Sequence, residues 1–492
     1  VFSGVLDHSY DTNNYLAYVH QSESGSWLFH NPMTAEPHRP VFFNLEWLVM
    51  GKVGALLHLS PAAAMNFCRV LCVVLMCVAV YWLSSFLFEN AFTRKIALVA
   101  SLAGGGFGWI SAVHLLHIRL DSSYFLDLTN ANFFPFYWTL RLPHFLASEM
   151  FVILGLCCFL RGEFEGRMSD YVISGLCYIA AGTCRPYDML FLMTSTALFL
   201  VQSYFNPRKA SQSLAIRAVP IAMCVPVLGY YYWIFKIHPI FRWWSLPGLP
   251  GPSPWLLSLG FGMSFLLLPY AVWKIYRNGL SYPGLLMACC LISALVLSYL
   301  HSLLHFSFQF ATNILVPLVM LALLGLDDSI QAMRAKRVWG TVAVAGILLV
   351  NSLTSIALTG QAVVLAVRGE YAIDSGLLAA YRWIDAHAES TDVIFADLYN
   401  ANMMPQYIRS RVFCGYGNAV RADEKLKDLQ NFFAPTTSQE FRENLLRNNP
   451  IQYVLLTSAQ AESLGRLFES PSSTMVFKND SAMIFALRPE RR

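Results

Sequence analysis

AAAMNFCRVLCVVLMCVAVYWLSSFLF, residues 62–88, decides the fold class. Apart from Asn66 and Arg69, it is apolar over about the 20 residues a helix needs to cross a hydrocarbon core of about 30 Å. Comparable runs recur near 96–116, 143–160, 171–184, 187–204, 217–236, 255–275, 283–300, 305–326 and 339–366. Composition agrees, with 56% hydrophobic and 13% charged residues, where soluble domains carry about 25% charged. The expectation is a polytopic α-helical membrane protein with about ten transmembrane helices in residues 62–366.

Both flanks of that block differ from it. Residues 1–61 form a polar, aromatic loop in which Asp7, His8, Asp11, His20, Glu23, His30, Glu36 and His38 crowd together. Its last third, 41–59, is apolar but broken by Asn44, Glu46 and Lys52, which suits helices lying in the membrane interface. A polar loop at the very start of a membrane protein, with no methionine or signal peptide before Val1, leads us to expect a further helix ahead of it. Residues 367–492 alternate an amphipathic helix (LLAAYRWIDAH) with strand-like runs, DVIFAD, RVFCG, YVLLT, MVFKN and AMIFAL. That alternation predicts a small α/β domain.

Orientation follows from the short loops that collect Lys and Arg. Arg94 and Lys95, Arg161 and Arg167, Arg208, Lys209 and Arg217, Lys274 and Arg277, and Arg334, Lys336 and Arg337 fall in alternate loops, expected to be cytoplasmic. The opening loop, the Arg185 turn, His301–His305 and the C-terminal domain then share the outer face of a cytoplasmic membrane. A net charge of +4 with no basic block argues against a nucleic-acid partner. All cysteines except Cys414 lie in apolar segments, so no disulfide framework is implied. Neither CxxC nor HExxH occurs; no cofactor is assigned, and a divalent metal is left open.

Ionisable groups at the outer ends of spans are costly and default to functional candidates. Asp7, Asp11, Asp121 and Asp127 supply carboxylates from two loops, and Arg141, His144, Glu149, Arg185, Asp188, His301 and His305 sit near helix ends. A carboxylate can take the proton of an acceptor hydroxyl, and Arg or His can neutralise a phosphate leaving group. Sugar transfer from a lipid phosphate needs these parts, although a proton-coupled transporter also needs intramembrane carboxylates.

The segment DTNNYLAYVHQSESGSWLFHNPMTAEPHRPVFFNLEWLVMGKVGALLHLSP resembles the first outer loop of bacterial integral-membrane glycosyltransferases of the GT-C superfamily. Asp127, Pro143-His144-Phe145, Arg185-Pro186-Tyr187-Asp188 and the C-terminal domain extend the resemblance over most of the chain. It implies an inverting transferase of hexosyl or pentosyl units, using a polyprenyl-phosphate sugar donor and a lipid, glycan or protein acceptor among membrane lipids. Asp11, in D-x-x-x-Y-L-A, best matches the family's catalytic carboxylate, with Asp7 as rival and Asp127 assisting. Arg141, His144, Arg185 and Tyr187 would bind donor phosphate, and Tyr15 and His38 substrate. Asn130 and Asn132 stand where a second carboxylate is expected after Asp127, and Arg185 where a histidine is expected.

Plainer readings compete with each assignment. Asp11 could cap an interfacial helix, and the loop histidines could be hydrogen-bonders. Arg185 with Asp188 could be an internal pair, His144 and Glu149 packing groups, and Gly104-Gly105-Gly106-Phe107-Gly108 a close helix contact inside a span. A transporter of lipid or glycan, or an inactive GT-C-like assembly partner, is the alternative to an enzyme.

Overall fold

The computed structural model describes residues 2–6, 10–112, 125–141, 143–205, 212–244, 251–304, 306–335, 338–469 and 472–487. Among them, six helices are long and apolar enough to cross a membrane: Pro61–Leu87, Pro143–Glu165, Pro186–Phe205, Val219–Ile237, Leu315–Met333 and Gly340–Val367. A seventh is the pair Pro254–Gly260 and Gly262–Asn278, if its 105° bend is one broken span. The expected runs at 171–184 and 283–300 appear as 17-residue helices, Met168–Cys184 and Tyr282–Ser298. The run at 305–326 opens as a 3-10 turn, Ser307–Asn313, before its helix. The run at 96–116 departs furthest, because its helix, Ala91–Ala103, stops at Gly104.

The chain divides into two units. The first joins Val1–Phe67, Tyr232–Ser245 and Leu365–Arg492; the second holds Cys68–Tyr231 and Leu246–Val364.

In the first unit, α1 (Tyr10–Glu23) and α2 (Leu45–Leu57) carry the opening loop. Asn44 caps α2, its side-chain oxygen accepting from the Trp47 N–H at 3.1 Å. At 13 residues, α2 is too short to span and leaves Val49, Leu56 and Leu57 exposed. The C-terminal part is a five-stranded sheet in the order β2-β1-β3-β5-β4. Its strands are β1 (Val393–Phe395), β2 (Arg411–Val412), β3 (Tyr453–Thr457), β4 (Ser473–Lys478) and β5 (Ala482–Leu487). β2, β1 and β3 run parallel, and β5 and β4 close the sheet antiparallel. Central β1 is buried at every position, as a parallel strand covered on both faces must be, whereas edge strand β4 has no buried position. The opening loop is bonded into this unit by isolated bridges, Phe2 to Ala372 and Thr34 to Cys414.

In the second unit, α3 (Pro61–Leu87, from Cys68 on) and α4 (Ala91–Ala103) begin a helical bundle. Glu163 pairs with Arg217 at 2.7 Å with both side chains buried, and the Tyr171 hydroxyl donates to the same carboxylate at 3.0 Å. A buried pair needs such extra bonds to offset its desolvation.

Candidate functional site

Asp11 lies in the first turn of α1 and is exposed, where a carboxylate is favoured by the positive helix end. Behind it, the helix buries polar residues, Thr12, Asn13 and Asn14, against the usual apolar rule for a buried face. Asn13 donates to the Asn402 side-chain oxygen at 2.8 Å, and Asn402 donates to the Tyr10 carbonyl at 3.2 Å. The neighbouring ring of Tyr10 stacks on Tyr416 at 5.5 Å and 11°. Tyr416 is hydrogen-bonded to Asp11, and burial, followed by the Asp11 charge, pushes its phenol well above the usual range. The hydroxyl therefore keeps its proton and donates to the carboxylate.

Tyr15 belongs to another cluster. It stacks on Trp47 at 5.4 Å, beside Tyr18 on the same indole at 4.4 Å. Phe29, Phe42 and Trp244 complete this aromatic core.

His38 is held by the backbone on both sides of its ring. Nε2 accepts from the Asn31 N–H at 2.8 Å, and Nδ1 lies 2.8 Å from the Glu36 carbonyl, which fixes one neutral tautomer. Burial holds its pKa below the ordinary value. The same loop runs along the strand edge: Val412 and Gly415 N–H groups donate to Pro32 and Met33 carbonyls at 3.0 Å each. Lys425, itself buried, closes it with bonds of 2.7 and 2.8 Å to Glu36.

In the helical unit, Asp127 is 2% exposed. Its Oδ2 accepts from the backbone N–H groups of Gly106 at 2.9 Å and Gly108 at 3.0 Å. Burial pushes its pKa up, and hydrogen bonding from the Thr354 hydroxyl and then from the Gly108 and Gly106 N–H groups pulls against that. The glycine run is a turn beyond the end of α4 that cradles a carboxylate, and its expected close packing appears where Gly106 lies against the Leu259 and Gly260 carbonyls of the helix Pro254–Gly260. Its glycines are obligatory: a Cβ on Gly106 would lie 2.2 Å from the Gly260 carbonyl, and one on Gly108 2.8 Å from Asp127 Oδ1. Asn351 and Thr354 of the last long helix brace the turn through the N–H groups of Gly105 and Trp109.

The expected phosphate cations divide by surroundings. Arg141 is half-buried, donates to the Tyr137 hydroxyl at 3.0 Å and lies 5.4 Å from that ring. Arg185 is 3% exposed and pairs with Asp188 at 3.1 Å. It also reaches Gln309 at 3.3 Å and Thr312 at 3.5 Å and lies 3.8 Å over the Phe145 ring. Asp188 is satisfied in turn by Ser148 and Asn313. His144 is buried, edge-on to Phe145 at 4.6 Å, and Tyr187 packs on Phe306 at 5.5 Å. Glu149 and Asn313 line a cavity of ≈ 10 Å³, about enough for one water.

Asp7, His8, Asp121 and His305 lie outside the described residues. Among the described residues, no three His, Cys, Asp or Glu side chains are grouped to hold a metal ion. Tyr416, Asn402 and Lys425 were not picked out from sequence. The glycine-flanked Tyr416 after a strand-like run, and the adjacent Asn13-Asn14 in α1, were the available signals.

No protein-family model and no curated protein sequence matches the chain. Solved structures do. The oligosaccharyltransferase AglB from Archaeoglobus fulgidus, in complex with an inhibitory peptide and a dolichol-phosphate, aligns with a TM-score of 0.56 at 11% identity, covering 97% of this chain and 70% of that one. Its apo form aligns at 0.57 and 11% identity, covering 97% and 71%. The arabinofuranosyltransferase AftD from Mycobacteria aligns at 0.57 and 13% identity, covering 99% of this chain and 42% of AftD. Shared architecture at such low identity, together with the apolar helices, establishes the fold: the chain is a multi-pass membrane protein with the GT-C fold.

Proposed function

We propose that the chain is a membrane glycosyltransferase that moves a sugar from a polyprenyl-phosphate donor to an acceptor on the outer side of the cytoplasmic membrane. The observation that carries this reading is Asp11: an exposed carboxylate at a helix start, with a tyrosine hydroxyl on it and an aromatic stack beside it. A base needs access to its substrate and a fixed orientation, and Asp11 has both. The GT-C neighbours, one solved with a dolichol-phosphate, support a lipid-linked donor.

In the proposed reaction Asp11 takes the proton of an acceptor hydroxyl as its oxygen bonds to the anomeric carbon. The bond from that carbon to the phosphate oxygen breaks, and the phosphate leaves with the electron pair. One displacement inverts the anomeric centre. In the helical unit Arg141 and Arg185 are the proposed phosphate cations, Arg185 being also paired with Asp188. His144 and Tyr187 would then shape the donor's surroundings, and Asp127 and its glycine turn hold their segment in place. Residues 1–61 and 367–492 are the outward parts of this reading, with the basic loops cytoplasmic.

The test is sugar release from a panel of radiolabelled polyprenyl-phosphate sugars by wild type and Asp11→Asn, with and without a divalent metal. Turnover that disappears in the variant supports the transferase and its base. Turnover untouched by the variant transfers the role to Asp7. No turnover with any donor rejects the enzyme in favour of a transporter or an inactive relative.

A further inference from the structure

We infer that the last turns of α3 and the start of α4 form a binding site for an anionic phospholipid of the bilayer. The site lies wholly in the helical unit and does not depend on the transferase reading. On α3, Cys77, Val78, Tyr81, Trp82 and Ser85 follow one helical face at i, i+1, i+4, i+5 and i+8. With Arg94, from the first turn of α4, they line an open groove of ≈ 520 Å³. Pockets for small molecules occupy roughly 300–1,000 Å³.

The lining changes character along α3. Cys77 and Val78 are apolar and continue a face on which Val70, Leu71 and Val74 are also exposed. Toward α4 the groove presents donors. Among the described residues, the Tyr81 hydroxyl and the Trp82 indole N–H make no hydrogen bond. Arg94 gives its Nε–H to the Phe88 carbonyl at 2.7 Å, which anchors the guanidinium at the end of α3, and no described carboxylate pairs with it. Arg161, 5.7 Å from the Trp82 ring, is by contrast paired with Asp170. The positive charge of the groove is therefore that of Arg94.

A lining of donors with a fixed cation and no acid calls for a ligand rich in acceptors and negative charge. The apolar turns beside it call for hydrocarbon. A phosphodiester joined to acyl chains brings both, whereas a zwitterionic headgroup would bring an ammonium toward Arg94. Tyrosine and tryptophan gather at the level of the headgroups, and basic pockets between helices on the cytoplasmic side hold anionic lipids. Arg94 and Lys95 belong to the loops read as cytoplasmic, so the lipid belongs to the inner leaflet. The sugar donor, on the proposed function, works at the opposite face and is not the occupant.

The test counts retained lipid. The full chain is reconstituted in nanodiscs of equal parts phosphatidylglycerol and phosphatidylethanolamine, then released in a mass spectrometer that resolves the lipids still bound. Wild type is expected to keep phosphatidylglycerol over phosphatidylethanolamine by about tenfold, the equivalent of one charge-assisted hydrogen bond. Arg94→Gln should bring the ratio near one, and Arg94→Lys should keep most of it. Val78→Trp, which fills the apolar part and leaves the charge, should lower retention of both lipids. Lys95→Gln removes a neighbouring charge that does not line the groove and should leave the ratio unchanged. The ratio compares two lipids on the same molecules, so a loss of folded protein does not mimic the effect. A ratio near one in wild type, a ratio indifferent to Arg94→Gln, or an equal fall in Lys95→Gln overturns the site. Displacement of phosphatidylglycerol by added polyprenyl phosphate, abolished by Arg94→Gln, would make the groove a donor site and overturns it too.

Discussion

In the first turn of α1, Asp11 stays exposed and receives a tyrosine hydroxyl, whereas Asp127 is buried and receives two backbone N–H groups on one oxygen. In sequence the two look alike, acids in polar loops beside spans. Their surroundings separate a carboxylate that a substrate can reach from one that fixes a chain turn. On the proposed function, accessibility and the identity of the donors decide which acid does chemistry, and substitutions can test that division.

The largest effect is expected at Asp11. Replacement by Asn should lower donor turnover by about 10²–10⁴-fold, the range for losing a general base, with the thermal midpoint unchanged because the side chain is exposed. If Asp127→Asn instead abolishes turnover in a fully stable protein, the two acids have exchanged roles. The same division applies to the arginines. Arg185→Met leaves Asp188 as an uncompensated buried charge and should cost about 3–5 kcal/mol of stability. The double variant Arg185→Met, Asp188→Leu should recover much of that. Arg141→Met, at a half-buried site, should barely move the unfolding midpoint. Denaturation in nanodiscs reads all three, and equal losses at both arginines would erase the distinction.

A smaller effect tests the glycine cradle. In Gly106→Ala the new Cβ meets two backbone carbonyl oxygens, at 2.2 and 2.3 Å, which cannot move aside as a side chain would. A cost of about 1–3 kcal/mol is expected from such overpacking. Asp127→Leu should cost a similar amount or more, since it strands two buried N–H groups. If Gly106→Ala is neutral by thermal unfolding, the turn does not lie as close to the Leu259 and Gly260 carbonyls as the geometry states.

Much of the fold was legible because apolar length is a one-dimensional signal: the spans at 62–88, 143–160 and 187–204 reappear with small shifts at their ends. The strand-like runs DVIFAD, YVLLT and AMIFAL likewise contain β1, β3 and β5. The glycine turn was not legible, because an apolar glycine run reads as span until its partner is known. That partner, Asp127, lies about twenty residues away. Tyr416 escaped for the same reason: it reaches α1 from some four hundred residues along the chain. The Arg185–Asp188 pair was visible at i, i+3 spacing, but only burial shows that each neutralises the other.

The smallest expected effect is a pH dependence of the first unit. Burial, then His38 and Arg411, hold His30 down to about 4, against roughly 6.5 for free histidine. Below about 6.5 the unfolded chain takes up a proton that the folded chain refuses, so stability falls as pH drops from about 6.5 to about 4. Glu36 acts in the same sense lower down. Burial pushes its carboxyl up, but the bonds from Lys425 and Thr34 outweigh that and lower it. Its contribution is present above the unfolded carboxylate range and is lost as pH falls through the folded value. The thermal midpoint should therefore decline in two steps on acidification, and His30→Gln should flatten the upper step while leaving the lower. A midpoint that rises on acidification through the upper window would mean that folded His30 accepts the proton, and that the loop holding His38 is built around a charge instead of a neutral ring.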